Sequence, residues 1–268
     1  MPAVEVDGIQ LNYEEQGEGE PLVLIPYLSA DNACYAFQYP AWAERYRCIS
    51  VDLRGSGLSD KPHGSYSTRQ YADDVAGIMD ALGIERAHVA GVSLGAATAM
   101  CLAGTRPSRV ASLALHSGWA ATDPFLAAVV NTWRVMALSM DSVADMVIAG
   151  IFPWCFTPEM YAERPEFVSG LAEFVRSRPA QPSEAFLGQS DAVLGHDATD
   201  LLGEITAPTL ITFGRHDLVT STRFAGALEE GIQDSELVVF DHLSHAGLHE
   251  DAETFNRVTT EFMERHPL

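Results

Sequence analysis

Ser93 lies at the centre of Gly91-Val92-Ser93-Leu94-Gly95, between the apolar run Ala87–Ala90 and a small-residue stretch that continues through Met100 and Leu102. A serine hydroxyl is a weak nucleophile near neutral pH. It needs an adjacent imidazole to take its proton, and a carboxylate to hold that imidazole. Gly-x-Ser-x-Gly suits this chemistry where a strand turns sharply into a helix, because the turn thrusts the hydroxyl out at the sheet edge. Side chains two residues before and after the serine would collide with the packed strand and helix, so Gly91 and Gly95 leave room. The helix that follows aims free backbone N–H groups at whatever the serine attacks. A glycine-rich turn with an incidental serine is the bland alternative, and the flanking strand and helix weigh against it.

In open α/β sheets ligands bind beyond the carboxyl ends of the strands, so the partners of Ser93 are expected just after later strands. Asp217 closes Phe213-Gly-Arg-His-Asp217, directly behind the apolar run Thr209–Phe213. Its alternative role, capping the next helix, is already offered by Thr220, Ser221 and Thr222. Three histidines follow Leu237–Phe240. His242 is too close to the strand end to swing over a serine, and His249 falls into the next helical region. His245, in mid-loop, is the expected base. His88 and His116 are expected to be structural. The order Ser, Asp, His is the one this turn motif predicts. The oxyanion needs two donors: the N–H of Leu94, and the N–H of Leu28 or Tyr27 in the loop after Ile25.

The elements that must position these groups follow from the apolar periodicity. Val4–Val6 and Ile9–Glu15 alternate around Asp7-Gly8, a hairpin signal. Leu22–Ile25, Cys48–Val51, His88–Ala90 and Val110–Leu115 are short buried strands. A short helix is expected over Phe37–Arg45, and Ser67-Thr-Arg-Gln70 is a capping box ahead of a helical stripe ending at Gly83. From about Ser117 to Glu204 no strand is convincing; the stripes Trp133, Met136, Ala137, Met140 and Phe167, Leu171, Phe174, Val175 predict helices. Phe152-Pro-Trp-Cys-Phe-Thr-Pro158 between them reads as a breaker-rich turn. Alternation then resumes with strands at Thr209–Phe213 and Leu237–Phe240 and helices at Thr222–Leu228 and around Phe255–Met263. This pattern predicts a mostly parallel sheet flanked by helices, with a core at 1–118 and 205–268 and an all-helical cap at 119–204.

Composition narrows the partners. The 268 residues carry 37 acidic against 16 basic side chains, a formal charge of -21, and such a field repels phosphate backbones and anionic lipid heads. Nucleic acid and membrane are therefore excluded as expected partners, leaving a small-molecule substrate and a monomer or homodimer. The start lacks a basic, apolar leader and no segment reaches membrane-span length, so a cytoplasmic location is expected. The four cysteines (Cys34, Cys48, Cys101, Cys155) show no paired spacing, and no ligand cluster calls for a metal or organic cofactor.

With Ser93, Asp217 and His245 placed, the chain resembles the α/β-hydrolase superfamily over essentially its full length. The motif Gly91-Val-Ser-Leu-Gly95 carries the resemblance, with Asp52-Leu-Arg-Gly-Ser-Gly-Leu-Ser59, Gly214-Arg-His-Asp217 and the His245 to Glu250 segment. It is most similar to capped serine esterases and lactonases of the 3-oxoadipate enol-lactonase and non-haem haloperoxidase type. The resemblance implies an eight-stranded sheet, a Ser-His-Asp triad and no cofactor. One departure stands out: Pro26-Tyr27 occupies the place where the family usually has His-Gly. Tyr27 either reshapes the oxyanion hole, places a phenol in the pocket, or only packs under the cap.

The expected function is hydrolysis of a carboxylic ester or lactone of a medium-sized, largely hydrophobic molecule through an acyl-enzyme on Ser93. The cap should choose the substrate, with Tyr27, Trp133, Met136, Met140, Phe152, Trp154 and Phe156 as candidate contacts and Arg134, Arg164 and Arg176 as candidates for an anionic one. The same triad also serves carbon–carbon bond hydrolysis, acyl transfer or cofactor-free oxygenation. A third alternative is a non-catalytic ligand receptor on the same fold.

Overall fold

The computed structural model describes residues 2–268. Its centre is one eight-stranded sheet of β1 (Ala3–Val6), β2 (Ile9–Gln16), β3 (Glu20–Ile25), β4 (Tyr46–Val51), β5 (Ala87–Val92), β6 (Val110–His116), β7 (Thr209–Gly214) and β8 (Ser235–Phe240). The spatial order is β1-β2-β4-β3-β5-β6-β7-β8. Only β2 runs antiparallel to its neighbours; every pair from β4 to β8 is parallel. Parallel strands need crossovers, and helices supply them on both faces.

The side-chain period of two divides the strands between two apolar cores. In β3, Val23 and Ile25 enter the core shared with the helices Thr68–Ala81 and Leu94–Thr105. Leu22 and Leu24 enter the opposite one, with Trp42, Phe255 and Phe262. The Ser67 hydroxyl accepts the Gln70 N–H at 3.1 Å, the first half of the capping box. The helix expected over Phe37–Arg45 is shorter, Tyr39–Trp42, preceded by a 3-10 turn at Asn32–Tyr35.

Between β6 and β7 the named elements are all helical, chief among them Pro124–Ser139, Pro165–Ser177 and Ser183–Leu194. The Phe152–Pro158 stretch differs from its breaker-rich appearance: Val147–Ile151 forms a π-helical turn and Phe152–Cys155 continues it as α-helix. Pro153 is tolerated because it sits in the first turn, where its missing N–H would have had no partner. No helix among the described residues is long and apolar enough to cross a membrane.

Three histidines are spent on this framework. His88 bonds Ser112 Oγ (2.7 Å) and Glu20 Oε2 (3.2 Å), His116 bonds Thr212 Oγ1 (2.7 Å), and His196 bridges Thr68 Oγ1 (2.9 Å) to the Trp119 carbonyl (3.0 Å). Burial pushes His116 down to about 3 and His196 to about 4, and lowers His88 against the pull of Glu20. In the unfolded chain each takes up a proton near the ordinary value of 6.5. Between about pH 6.5 and 4 the unfolded state therefore binds more protons, and stability falls as the pH falls through that window. The thermal midpoint is expected to drop by about 10 °C from pH 7 to pH 5; a midpoint unchanged over that interval would contradict neutral burial of these rings.

Candidate active site

Ser93 occupies the turn between β5 and the helix Leu94–Thr105 with φ +55° and ψ -117°. This is a conformation that a residue with a Cβ adopts only when its surroundings force it. The forcing is visible on both sides. The Ser93 N–H is held by the His116 carbonyl at 2.8 Å, and its carbonyl accepts the Ala97 N–H at 3.0 Å. A methyl group on Gly95 would stand 2.0 Å from the Ile25 carbonyl oxygen, and one on Gly91 would stand 2.2 Å from the Gly95 oxygen. Both glycines are required by close backbone approach.

That approach sets the end of β3 against the start of the helix. The N–H groups of Leu28 and Leu94 make no hydrogen bond among the described residues, whereas Ser29 N–H donates to Gln189 Oε1 (3.1 Å) and Ala30 N–H to the Tyr27 carbonyl (3.1 Å). Gln181 braces the same loop by accepting from Ser29 Oγ (2.7 Å) and donating to Gln189 Oε1 (2.9 Å).

Asp217 follows β7 and is buried. Its Oδ1 accepts the N–H groups of Val219 (2.7 Å) and Thr220 (2.9 Å), and its Oδ2 accepts the His245 Nδ1 proton at 2.8 Å. Burial alone would raise the Asp217 carboxyl. The adjacent His245 charge and hydrogen bond, with the two N–H groups, outweigh it and hold the carboxyl below its ordinary value. The Thr220 hydroxyl lies 3.2 Å from the same ring nitrogen. His245 Nε2 makes no hydrogen bond, and Ser93 Oγ makes none to it; both residues line one cavity of about 440 Å³. Such catalytic contacts are often long without substrate and tighten when it binds.

The two residues beside His245 are pinned. Ser244 N–H donates to Glu250 Oε2 (2.6 Å), and Ala246 N–H donates to the Cys155 carbonyl (2.9 Å) of the helical insert. The other Glu250 oxygen accepts the N–H (2.7 Å) and hydroxyl (2.9 Å) of Thr157. One buried carboxylate thus ties the insert to the histidine loop. His242, by contrast, is exposed and bonds Asp251 Oδ2 at 2.9 Å.

Of the apolar candidates, Tyr27, Trp133, Phe152 and Phe156 line the cavity. Met136, Met140 and Trp154 do not line it; they pack against the larger apolar core, Met136 with its thioether over Gly150. Leu126, Val130, Val147, Ile151 and Leu171 are also part of the apolar wall. Sequence reasoning missed these because helix faces alone do not say which side meets the cavity. The arginine candidates are all engaged: Arg134 with Asp191, Arg164 with the Glu250 carbonyl (3.1 Å), and Arg176 with Asp145 (3.0 Å). Arg178, not anticipated, also lines the cavity and pairs with Asp31 at 2.8 Å. Among the described residues no group of three or more His, Cys, Asp or Glu side chains is arranged to hold a metal.

A family model described as alpha/beta hydrolase fold matches residues 20–252, and the chain belongs to that family. It is 29% identical over 263 residues, 98% of each chain, to an Azorhizobium caulinodans protein named a carbamate hydrolase, RutD. It is also 29% identical over 274 residues, 96% of this chain and 92% of the other, to a Pseudomonas putida 2-hydroxy-6-oxononadienedioate hydrolase. The solved enol-lactonase of Burkholderia xenovorans superposes with a TM-score of 0.88 at 26% identity, covering 98% of this chain and 100% of that one. The chain is a hydrolase.

Glu250→Ala is expected to strip partners from the Ser244 and Thr157 N–H groups and lower the unfolding free energy by about 3 kcal/mol. Denaturant unfolding measures this; a loss under about 0.5 kcal/mol would show that the carboxylate carries no structural load.

Proposed function

We propose that the chain is a serine hydrolase of carboxylic esters or lactones whose acyl or alkyl part is medium-sized, neutral and largely apolar. The observation that carries this is the Asp217–His245 pair at 2.8 Å on the rim of the cavity that also holds the strained Ser93. In this reading His245 Nε2 takes the Ser93 proton as Oγ attacks the carbonyl, while Asp217 holds the ring with its proton on Nδ1. The Leu94 N–H and, in the loop, the Leu28 N–H receive the oxyanion. His245 then gives the proton to the leaving oxygen, and water releases the acyl group by the same steps in reverse.

The helical segment 119–204 acts as the cap that selects the substrate. A neutral substrate is favoured by the charges around the cavity: Arg176 and Arg178 both line it, and both are already paired, with Asp145 and Asp31. A dicarboxylate of the kind named for the Pseudomonas putida relative would have to break one of these pairs.

Ser93→Ala is expected to lower kcat/KM for p-nitrophenyl esters by about 10³-fold or more, and His245→Ala by a similar factor. His242→Ala is expected to stay within about two-fold of wild type, since its exposed ion pair lies outside the cavity. Full activity in His245→Ala, or loss in His242→Ala, would assign the base elsewhere.

A further inference from the structure

Besides the Ser93 turn, the cavity wall holds a second polar pair that the hydrolytic steps do not use. The Tyr27 hydroxyl lies 3.0 Å from His249 Nε2, the two rings meet edge to face, and Phe37 packs edge-on against the same imidazole. Both residues line the cavity. His249 is buried, and its Nδ1 has no hydrogen-bond partner. We propose that Tyr27, oriented by His249, is the polar anchor of the substrate, donating a hydrogen bond to a second acceptor oxygen, a carbonyl or ether away from the scissile bond. The proposal rests on the ester or lactone reading of this cavity.

The tautomer supplies the argument. If Tyr27 donated to Nε2, the imidazole proton would sit on Nδ1 as a buried N–H with no acceptor. Orphaned buried N–H groups are rarer than orphaned acceptors. The arrangement that avoids it puts the proton on Nε2, donating to the Tyr27 oxygen and leaving Nδ1 a bare lone pair. The phenol then has its own proton free. Burial holds His249 neutral, down to about 4, and raises the Tyr27 phenol well above its ordinary value, so at neutral pH one is a fixed neutral donor and the other still carries its proton. The only hydrogen-bond partner of that hydroxyl among the described residues is His249 Nε2, so in this tautomer its O–H is left without an acceptor. A ligand oxygen is the group that satisfies it.

The phenol is also separate from the oxyanion donors. Leu28 packs on the core that contains Leu94, whereas the Tyr27 ring packs on the other. The hydroxyl is held instead to His249 of the helix Gly247–Glu250, and we read it as contacting a part of the substrate other than the carbonyl under attack. The Pro26-Tyr27 departure thereby adds a specificity contact where a glycine would leave none.

The test uses p-nitrophenyl octanoate and its analogues with a ketone at successive chain carbons. Wild type is expected to favour one ketone position over the plain ester by roughly ten-fold in kcat/KM. Tyr27→Phe should remove that preference, bringing the favoured ketone ester to the kcat/KM of the plain octanoate measured in the same variant. His249→Gln, whose amide N–H can still reach the phenol, should keep the preference, and His249→Leu should lose it. Calorimetric binding of the matching methyl esters to Ser93→Ala, with and without Tyr27→Phe, reads the same contact without turnover. A preference in binding with no hydrolysis by wild type would sink the hydrolase reading and keep the anchor. No ketone preference in either assay, or one that survives Tyr27→Phe, would overturn the anchor. So would an equal fall in kcat for every ester, plain octanoate included, because it would place the phenol on the scissile carbonyl.

Discussion

The contact between Gly95 and the last carbonyls of β3 governs the rest of the site. An added methyl would stand 2.0 Å from the Ile25 oxygen and 2.8 Å from the Pro26 oxygen, so the helix can begin there only with no side chain at that position. With β5 and the helix start this close, the residue between them has no room in an ordinary conformation. Ser93 takes φ +55° and is held by the His116 carbonyl on one side and the Ala97 N–H on the other. The strain is stored by packing that is fully buried on both faces of β5. The same closeness brings the first N–H of the helix beside the loop after β3, so one steric fact sets both the Ser93 turn and the free N–H groups of Leu28 and Leu94.

Around this point the electrostatics are local and balanced, although the surface is not. The formal charge of -21 belongs to the exterior. At the cavity the carboxylates are each answered: Asp217 by an imidazole and two N–H groups, Asp31 and Asp145 by arginines. Unpaired charge in such a space would be expensive, and a pocket with none left over suits an uncharged ligand. Glu250 extends the pattern. It is spent on fastening Thr157 of the insert to Ser244, which ties the histidine loop to the helices over it.

The architecture and the Ser93, Asp217 and His245 placements were legible because local patterns carry them. Period-two strands, Asp7-Gly8, the Ser67 cap and the glycine-flanked serine each speak for a few adjacent residues. His242 and His245 could be separated by distance from the strand end alone. What was not legible depends on contacts between distant segments. Met136 and Trp154 share the composition of cavity residues yet pack away from the cavity, and no stripe says which way an insert helix rolls. The Phe152–Pro158 breakers are absorbed into helical turns because Pro153 falls in a first turn. Tyr27 and His249 are 222 positions apart; the anomaly at Tyr27 was visible, but its partner was not, since His249 looked like one more helix residue. Arg178 was hidden because its partner, Asp31, lies on another loop.

The most direct measurement is rapid-quench mass spectrometry during turnover of a p-nitrophenyl ester. The account predicts a transient acyl group on the peptide containing Ser93, formed with the p-nitrophenolate burst, its formation slowed when His245 is replaced and absent in Ser93→Ala. Steady hydrolysis by Ser93→Ala at the wild-type rate, with no adduct on that peptide in either protein, would contradict it.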